Sequence, residues 1–285
     1  MDGTVTNHRP LISITLPNYN YGVFLAESIV GILNQTYNHW ELLITDDGST
    51  DGSQAIIRDF AARDRRIRPV YFPRNQGALA AHGNTWQRVS GKLIYQYSSD
   101  DAVVNPTFFE QAVNALEQHP TAGGFYGITK MVGTETGAEK GLMGKAPVGF
   151  TPRELFISGF IQHSVFVPGI SSIWKRTHIN EVGGYDHRLG PQTDFYINHV
   201  IPAKHGVVFA KEVFAKARVS EANASFSSNT KMEDEIARFA LCEEKIRQQI
   251  STLYHVDEVY WEHWRRIKQQ ELQRRYAQTG ELASA

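Results

Sequence analysis

The chain has 285 residues, 41% hydrophobic and 21% charged, a globular balance that excludes wholesale disorder and leaves room for one large domain with an appendage. Its formal net charge is -1, so no global basic field draws it to nucleic acid. The single cysteine, Cys242, excludes an intramolecular disulfide and a cysteine-cluster metal site, and it suits a reducing compartment. The first ten residues lack the apolar core of a signal peptide, and no apolar run approaches the ~18 residues that span a bilayer. A soluble, cytoplasmic protein is expected, with the sequons at Asn34 and Asn223 as chance matches.

The first third alternates strand and helix signals. Leu11 to Leu16 reads as a compact strand, stopped by Pro17-Asn18-Tyr19-Asn20. Tyr21 to Gln35 carries Phe24, Leu25, Ser28, Ile29, Ile32 and Leu33 at helical spacing. A strand over Trp40–Thr45 follows, then a turn cluster at residues 47–52 rich in helix-capping side chains, and a helix from Ser53 to Ala62. Arg68 to Phe72 is a short strand, Pro73 to Gly77 a loop, Ala78–Val89 a helix, and Leu93 to Tyr97 a strand. Single helices between strands imply right-handed βαβ units and a doubly wound, largely parallel sheet.

Beyond a helix started by Pro106, the segment Lys130 to Gly149 is glycine-rich and aperiodic, a loop or irregular hairpin. An apolar run from Ser164 to Trp174, a helix from Thr193 to Lys204, and two strands, Val207–Ala210 and Val213–Val219, complete this part. From about Asn229 the pattern turns to long helices rich in Glu, Lys, Arg and Gln, an α-helical appendage. Its Trp261 and Trp264 beside Arg265-Arg266 suit either a membrane surface or a face packed on the domain or on a second subunit.

Two strands end in acidic pairs, Asp46-Asp47 and Asp100-Asp101. Open parallel sheets bind ligands beyond the carboxyl ends of their strands, and paired carboxylates there suit Mg²⁺ or Mn²⁺ carrying substrate phosphates. The ordinary reading of each pair is a turn that caps the next helix. The histidines His82, His163, His178 and His187 show no paired metal-ligand spacing.

In order along the chain stand Ser13-Ile14-Thr15-Leu16-Pro17-Asn18-Tyr19-Asn20, Ser28-Ile29 before Asn34-Gln35-Thr36-Tyr37, and Glu41 to Asp51 with its Asp-Asp-Gly-Ser core. Arg74-Asn75-Gln76-Gly77, Ser98-Ser99-Asp100-Asp101, and Gly183-Gly184-Tyr185-Asp186 with Thr193-Asp194 follow. With these motifs residues 10–225 resemble an inverting, non-processive family 2 glycosyltransferase of the GT-A fold. The resemblance implies a nucleotide-binding half over about 10–105, an acceptor half over about 106–225, and a helical extension over 226–285. It implies that Pro17, Asn18 and Tyr19 frame the base and ribose, that Asp47 hydrogen-bonds the base with Asp46 beside it, and that Asn75 and Gly77 lie near the ribose and diphosphate. Asp100 would contact the ribose or assist the metal, Asp101 would ligate Mn²⁺ or Mg²⁺, and Asp194 would be the general base. The implied donor is a nucleotide-diphospho-sugar, a UDP-sugar foremost. The implied acceptor is a glycan or lipid-linked saccharide in bacterial surface polysaccharide or glycoconjugate synthesis. A homo-oligomer contact, or a peripheral contact with the inner face of the membrane, would fall to the C-terminal helices.

The chain departs from the family pattern at Ser98 and Ser99, where acids are common, and at Ser220, where many members carry a histidine. These serines leave the third metal ligand open. They also support the competing reading, a transferase fold that binds sugar nucleotides without turnover.

Overall fold

The computed structural model describes residues 9–162, 164–190, 192–219, 232–251, 253, 258, 260–262, 264–266 and 269. In chain order the elements are β1 (Ile12–Asn18), α1 (Gly22–Leu33), β2 (Trp40–Asp46), α2 (Ser53–Arg63), β3 (Ile67–Tyr71), α3 (Ala78–Gln87) and β4 (Leu93–Gln96). There follow β5 (Ala102–Val103), α4 (Phe108–Gln118), β6 (Gly124–Gly133), β7 (Glu139–Met143), β8 (Gly149–Thr151), α5 (Arg153–Ile161) and β9 (Ser172–Lys175). Last come α6 (Arg176–Glu181), α7 (Gln192–His205), β10 (Val207–Val219) and α8 (Met232–Ile250).

All ten strands join one sheet in the order β3-β2-β1-β4-β9-β6-β10-β5, with β7 beside β6 and β8 beside β10. The pairs β1–β2, β2–β3, β1–β4 and β6–β10 are parallel, and β9 runs against both of its neighbours. Chain order reverses at β1, whose neighbours are β2 on one side and β4 on the other. The crevice beyond such a switch point is where doubly wound sheets bind ligands. The fold is therefore mixed α/β of the GT-A kind, with a helical C-terminal part.

Strand side chains alternate between two cores. Leu93, Tyr95, Phe125 and Ile173 enter one core, together with the stripe Leu25, Ile29 and Ile32 of α1 and Phe108, Phe109, Ala112 and Val113 of α4. Ile94, Tyr126 and Trp174, from the same strands, enter a second core with α5, α6, α7 and α8. Phe239, Cys242, Ile246 and Ile250 of α8 are buried there, and so are Tyr260, Trp261 and Trp264. The two tryptophans thus pack on this chain, one of the alternatives that the sequence offered. Among the described residues no helix is long and apolar enough to cross a membrane.

Residues 130–149 take the hairpin alternative: Thr129 to Val132 of β6 pair antiparallel with β7, with a register shift between Met131 and Val132. Two segments differ from the expectations. The two strands expected over 207–219 are one, β10, whose register against β6 shifts near Val213. A bulge absorbs the extra residues and leaves Lys211 and Glu212 exposed. Of the apolar run 164–174 only its end is strand, because Pro168-Gly169 cannot continue a ladder.

Close packing of α1 places Gly31 against β5, and a Cβ there would lie 2.6 Å from the Val103 carbonyl oxygen. Alanine normally stabilises a helix interior over glycine by about 0.5–1 kcal/mol. Here the partner is backbone that cannot swing away. Gly31→Ala is therefore expected to lower Tm, with an overpacking cost of about 1–3 kcal/mol. Thermal unfolding followed by circular dichroism checks this, and a raised Tm would contradict the packing.

Candidate active site

The sequence folds so that the segments following β1, β2, β3 and β4 meet at one end of the sheet. Asn18, at the tip of β1, donates from Nδ2 to Asp46 Oδ2 at 2.8 Å and to Ser49 Oγ at 3.1 Å. Asp46 Oδ1 accepts the Ser49 N–H at 3.0 Å and Gln54 Nε2 at 2.9 Å. Asp46 is fully buried, and both its oxygens are used within the protein. These bonds hold the 46–54 turn in shape. Asn18 Oδ1, buried, has no protein partner.

Asp47 is nearly as buried and reaches the neighbouring loop, where Oδ1 accepts the Gln76 N–H at 2.7 Å and Oδ2 the Gly77 N–H at 2.8 Å. The exposed Asn75 closes an Asx-turn onto the same Gly77 N–H at 2.8 Å. Gly48 makes the close approach of these loops feasible: at φ 73° it sits where a Cβ would lie 2.5 Å from the Arg74 carbonyl carbon. Pro17 and the 41%-exposed Tyr19 flank Asn18 at the crevice.

The tip after β4 is tied to its surroundings by hydroxyls. Ser99 Oγ donates to the Pro17 carbonyl at 2.7 Å, joining the β1 and β4 tips. Ser28 of α1 donates to the carbonyls of Ser99 and Asp101, and the buried Tyr97 hydroxyl donates to the Asp101 carbonyl at 3.0 Å while accepting the Val103 N–H at 3.0 Å. The serine at 99 thus shapes the tip through its hydroxyl instead of adding a charge.

Asp101 is buried, and Asp100 beside it is half-buried. Burial pushes both carboxyls up, and for Asp101 the charge of Asp100 adds to the effect. The Arg218 N–H donates to Asp101 Oδ1 at 3.3 Å. The Arg218 guanidinium turns elsewhere, to the Asp100 carbonyl and to Glu27, and lies over the Phe24 ring at 4.5 Å. Among the described residues neither carboxylate forms an ion pair. Two adjacent, poorly compensated hard oxygen donors fit a divalent cation such as Mg²⁺ or Mn²⁺. Tyr21 stands close by, its hydroxyl pushed up by burial and then by the charges of Asp100 and Asp101.

Asp194 lies in the first turn of α7, beside a cavity of about 290 Å³ lined by Phe156, Phe160, Phe166, Phe195 and His199. Asp194 is exposed where it lines this cleft, and the protein packed beside its carboxylate pushes its pKa up to about 6. Among the described residues it has no hydrogen-bond or ion-pair partner. Ala217, next in the chain to the residue whose N–H meets Asp101, lines the same cavity. Tyr185 neighbours Asp194 and stacks on His82 of α3 with centroids 5.3 Å apart. Asp186 is not a rival base: Arg188 at 2.7 Å and Lys245 at 2.9 Å hold its carboxyl well below the usual range.

Asn18, Asp47, Asn75 and Gly77 are thus gathered on one side of β1, and Asp100, Asp101 and Asp194 on the other. The tips of β2 and β4 are two strand spacings apart, about 10 Å. Sequence reasoning missed Tyr21, Arg218 and His199. Asp194, Asn198 and His199 recur at helical spacing on one face of α7, a signal that was available. Ser220 and His163 lie outside the described residues.

Comparison with known proteins agrees with this fold. TuaG of Bacillus subtilis (strain 168), assigned to teichuronic acid biosynthesis as a glycosyltransferase, is 36% identical over 97 residues, 34% of this chain and 38% of that protein. The matched segment therefore spans well under half of either protein. Among solved structures, S. aureus TarS 1-349 in complex with UDP-GlcNAc superposes with a TM-score of 0.67 at 16% identity, covering 93% of this chain and 72% of that one. The mannosyltransferase PcManGT from Pyrobaculum calidifontis, in complex with GDP-Man and Mn²⁺, gives 0.56 at 16% identity over 84% of this chain and 65% of that one. The profile of glycosyl transferase family 2 matches residues 13–173, over half of the chain and the stretch that carries every strand-tip residue above, and the chain belongs to that family.

Proposed function

We propose that this chain is an inverting, metal-dependent glycosyltransferase. It moves one sugar from a nucleotide-diphospho-sugar, a UDP-sugar foremost, to a hydroxyl of a glycan or lipid-linked saccharide in bacterial surface polysaccharide synthesis. The observation that carries this reading is the adjacent carboxylates of Asp100 and Asp101 at the tip of β4, with no ion pair among the described residues, together with the unpartnered Asp194 on the wall of the aromatic-lined cavity. TarS with UDP-GlcNAc and PcManGT with GDP-Man and Mn²⁺ support the donor class and the metal. TuaG supports the polysaccharide setting. The apolar, aromatic-lined cavity supports an acceptor with an apolar portion, as a lipid-linked saccharide has.

In this mechanism Asn18, Tyr19, Asp47 and the 75–77 loop bind and orient the nucleoside. Asp101, assisted by Asp100, would hold Mn²⁺ or Mg²⁺, whose charge offsets that building on the departing diphosphate. Asp194 removes the proton from the acceptor hydroxyl as that oxygen bonds to the anomeric carbon. The bond from that carbon to the diphosphate oxygen breaks on the opposite face, so a single displacement inverts the centre. A carboxyl with its pKa raised towards neutrality suits this work, because it remains ionised yet is basic enough to accept the proton.

Asp194→Asn is expected to lower kcat by about 10²–10⁴-fold, the usual weight of a general base, with donor binding by calorimetry retained. Turnover, read as nucleoside diphosphate release across UDP-, GDP- and dTDP-sugars with Mn²⁺, checks it. Unchanged turnover in the variant removes Asp194 from the role, and no turnover or binding in the parent chain would leave the scaffold reading. The base must be ionised to act. kcat/KM is therefore expected to rise with pH through a midpoint near 6 and to level above it, and a flat acid limb would contradict the assignment.

Asp101→Asn addresses the metal. A carboxyl whose folded pKa is raised costs stability once pH exceeds that value, so the ligand-free variant is expected to melt at the same temperature as the parent or higher. The extra rise in Tm that Mn²⁺ adds to UDP is expected to vanish, since only a ligand bound to the native state raises Tm. A variant that retains the Mn²⁺ effect would move the metal elsewhere.

A further inference from the structure

At the end of the sheet opposite the acidic tips, α6 lies against the last turn of α7, just before β10 begins. His178 and Glu181 of α6 and His205 of α7 converge there. His178 Nδ1 and His205 Nε2 approach the same oxygen, Glu181 Oε2, at 3.3 and 2.8 Å. One ligand atom from each of the three residues lies within 4.8 Å of the other two. Ligands at about 2.0–2.2 Å from a tetrahedral ion stand about 3.3–3.6 Å from one another, so these side chains are already close to a coordination shell. The imidazoles stack with centroids 3.7 Å apart at 26°. Histidine χ2 is a broad torsion, so tilting the rings to bring both lone pairs onto one ion costs little.

The surroundings complete the arrangement. Lys204 Nζ donates to the other oxygen, Glu181 Oε1, at 2.9 Å, and is itself held by Gln249 Oε1 of α8 at 3.2 Å. This contact fixes the carboxylate and leaves Oε2 for the two nitrogens, the kind of outer contact that orients a metal ligand. Both histidines keep about a fifth of their side-chain surface, and Glu181 39%, so an ion and its water have access.

We propose that His178, Glu181 and His205 form a binding site for a divalent ion of the zinc class, with water in the fourth position. Two imidazoles and one carboxylate select such ions over Mg²⁺ and Mn²⁺, which favour all-oxygen shells. The site is separate from the catalytic cleft, because Asp194 and His205 stand about 16 Å apart along α7 at 1.5 Å per residue. It clasps α6 to the end of α7 and, through Lys204, to α8. The nearby ammonium keeps affinity below that of a buried structural zinc site.

The test uses untagged, metal-stripped full-length protein at about pH 7.5, where an imidazole of ordinary pKa is neutral. Asp101→Asn serves as the background that removes the strand-tip carboxylate. Calorimetry is expected to show one equivalent of Zn²⁺ that Mg²⁺ does not displace, and Co²⁺ in its place is expected to give the visible absorption of a tetrahedral nitrogen-oxygen site. His178→Gln and His205→Gln are each expected to weaken Zn²⁺ at least about tenfold with the far-ultraviolet spectrum unchanged. Imidazole ¹⁵N resonances of the unsubstituted protein, which need no variant to fold, are expected to shift for His178 and His205 alone. Absence of Zn²⁺ binding, full affinity in both histidine variants, or shifts confined to other histidines would each overturn the proposal.

Discussion

Negative charge crowded at the end of a parallel sheet is the constraint around which this protein is arranged. Four carboxylates stand at the tips of β2 and β4, and the fold treats them in opposite ways. Asp46 and Asp47 are supplied with N–H donors until they become braces for the turns that follow β2 and β3. Asp101 accepts the Arg218 N–H, and among the described residues neither Asp100 nor Asp101 forms an ion pair. The nearest guanidinium, Arg218, is instead held by Glu27 and a backbone carbonyl. Burial without compensation is unfavourable in the ligand-free state, and it persists only because the surrounding hydroxyls of Ser28, Tyr97 and Ser99 fix the backbone of the tip.

The nucleotide-side architecture was legible in the sequence because its signals are local. Isoleucine and leucine runs buried on both faces mark β1 and β2, and Pro17-Asn18 and Asp46-Asp47 mark where those runs stop. The helical spacing of Leu25, Ile29 and Ile32 marks α1 for the same reason. What the local pattern could not carry was the use of each carboxylate. Asp46 and Asp47 are chemically alike and adjacent, yet one points into the protein and the other across to a neighbouring loop, a choice made by Asn18, Gln54 and the 76–77 amides far along the chain.

The second half was harder to read for a related reason. β5, β8 and β9 are two to four residues long and owe their existence to pairing with strands distant in sequence. The bulge that makes β10 one strand follows from its register on β6, which no window of the sequence contains. His178 and His205 show no ligand spacing along the chain, because the turn of α6 against α7 is what brings them to one glutamate. Ser99 is the converse case. It reads as a lost acid in the motif, and in the fold it is the hydroxyl that fastens two strand tips together.

His199 joins the cavity to the C-terminal part. Its Nε2 meets the Tyr260 hydroxyl at 2.6 Å, and burial pushes its pKa down to about 3, so the ring is neutral. Asp194, Phe195, His199 and Tyr260 all lie beyond residue 173, outside the stretch that the family profile matches. The cavity wall is thus drawn from two stretches of chain, Phe156, Phe160 and Phe166 from within the matched part and Asp194, Phe195 and His199 from beyond it. None of these side chains takes part in the hydrogen bonds that join Asn18, Asp46, Asp47 and the 75–77 loop, so exchanging them would reshape the cavity and leave that assembly as it stands.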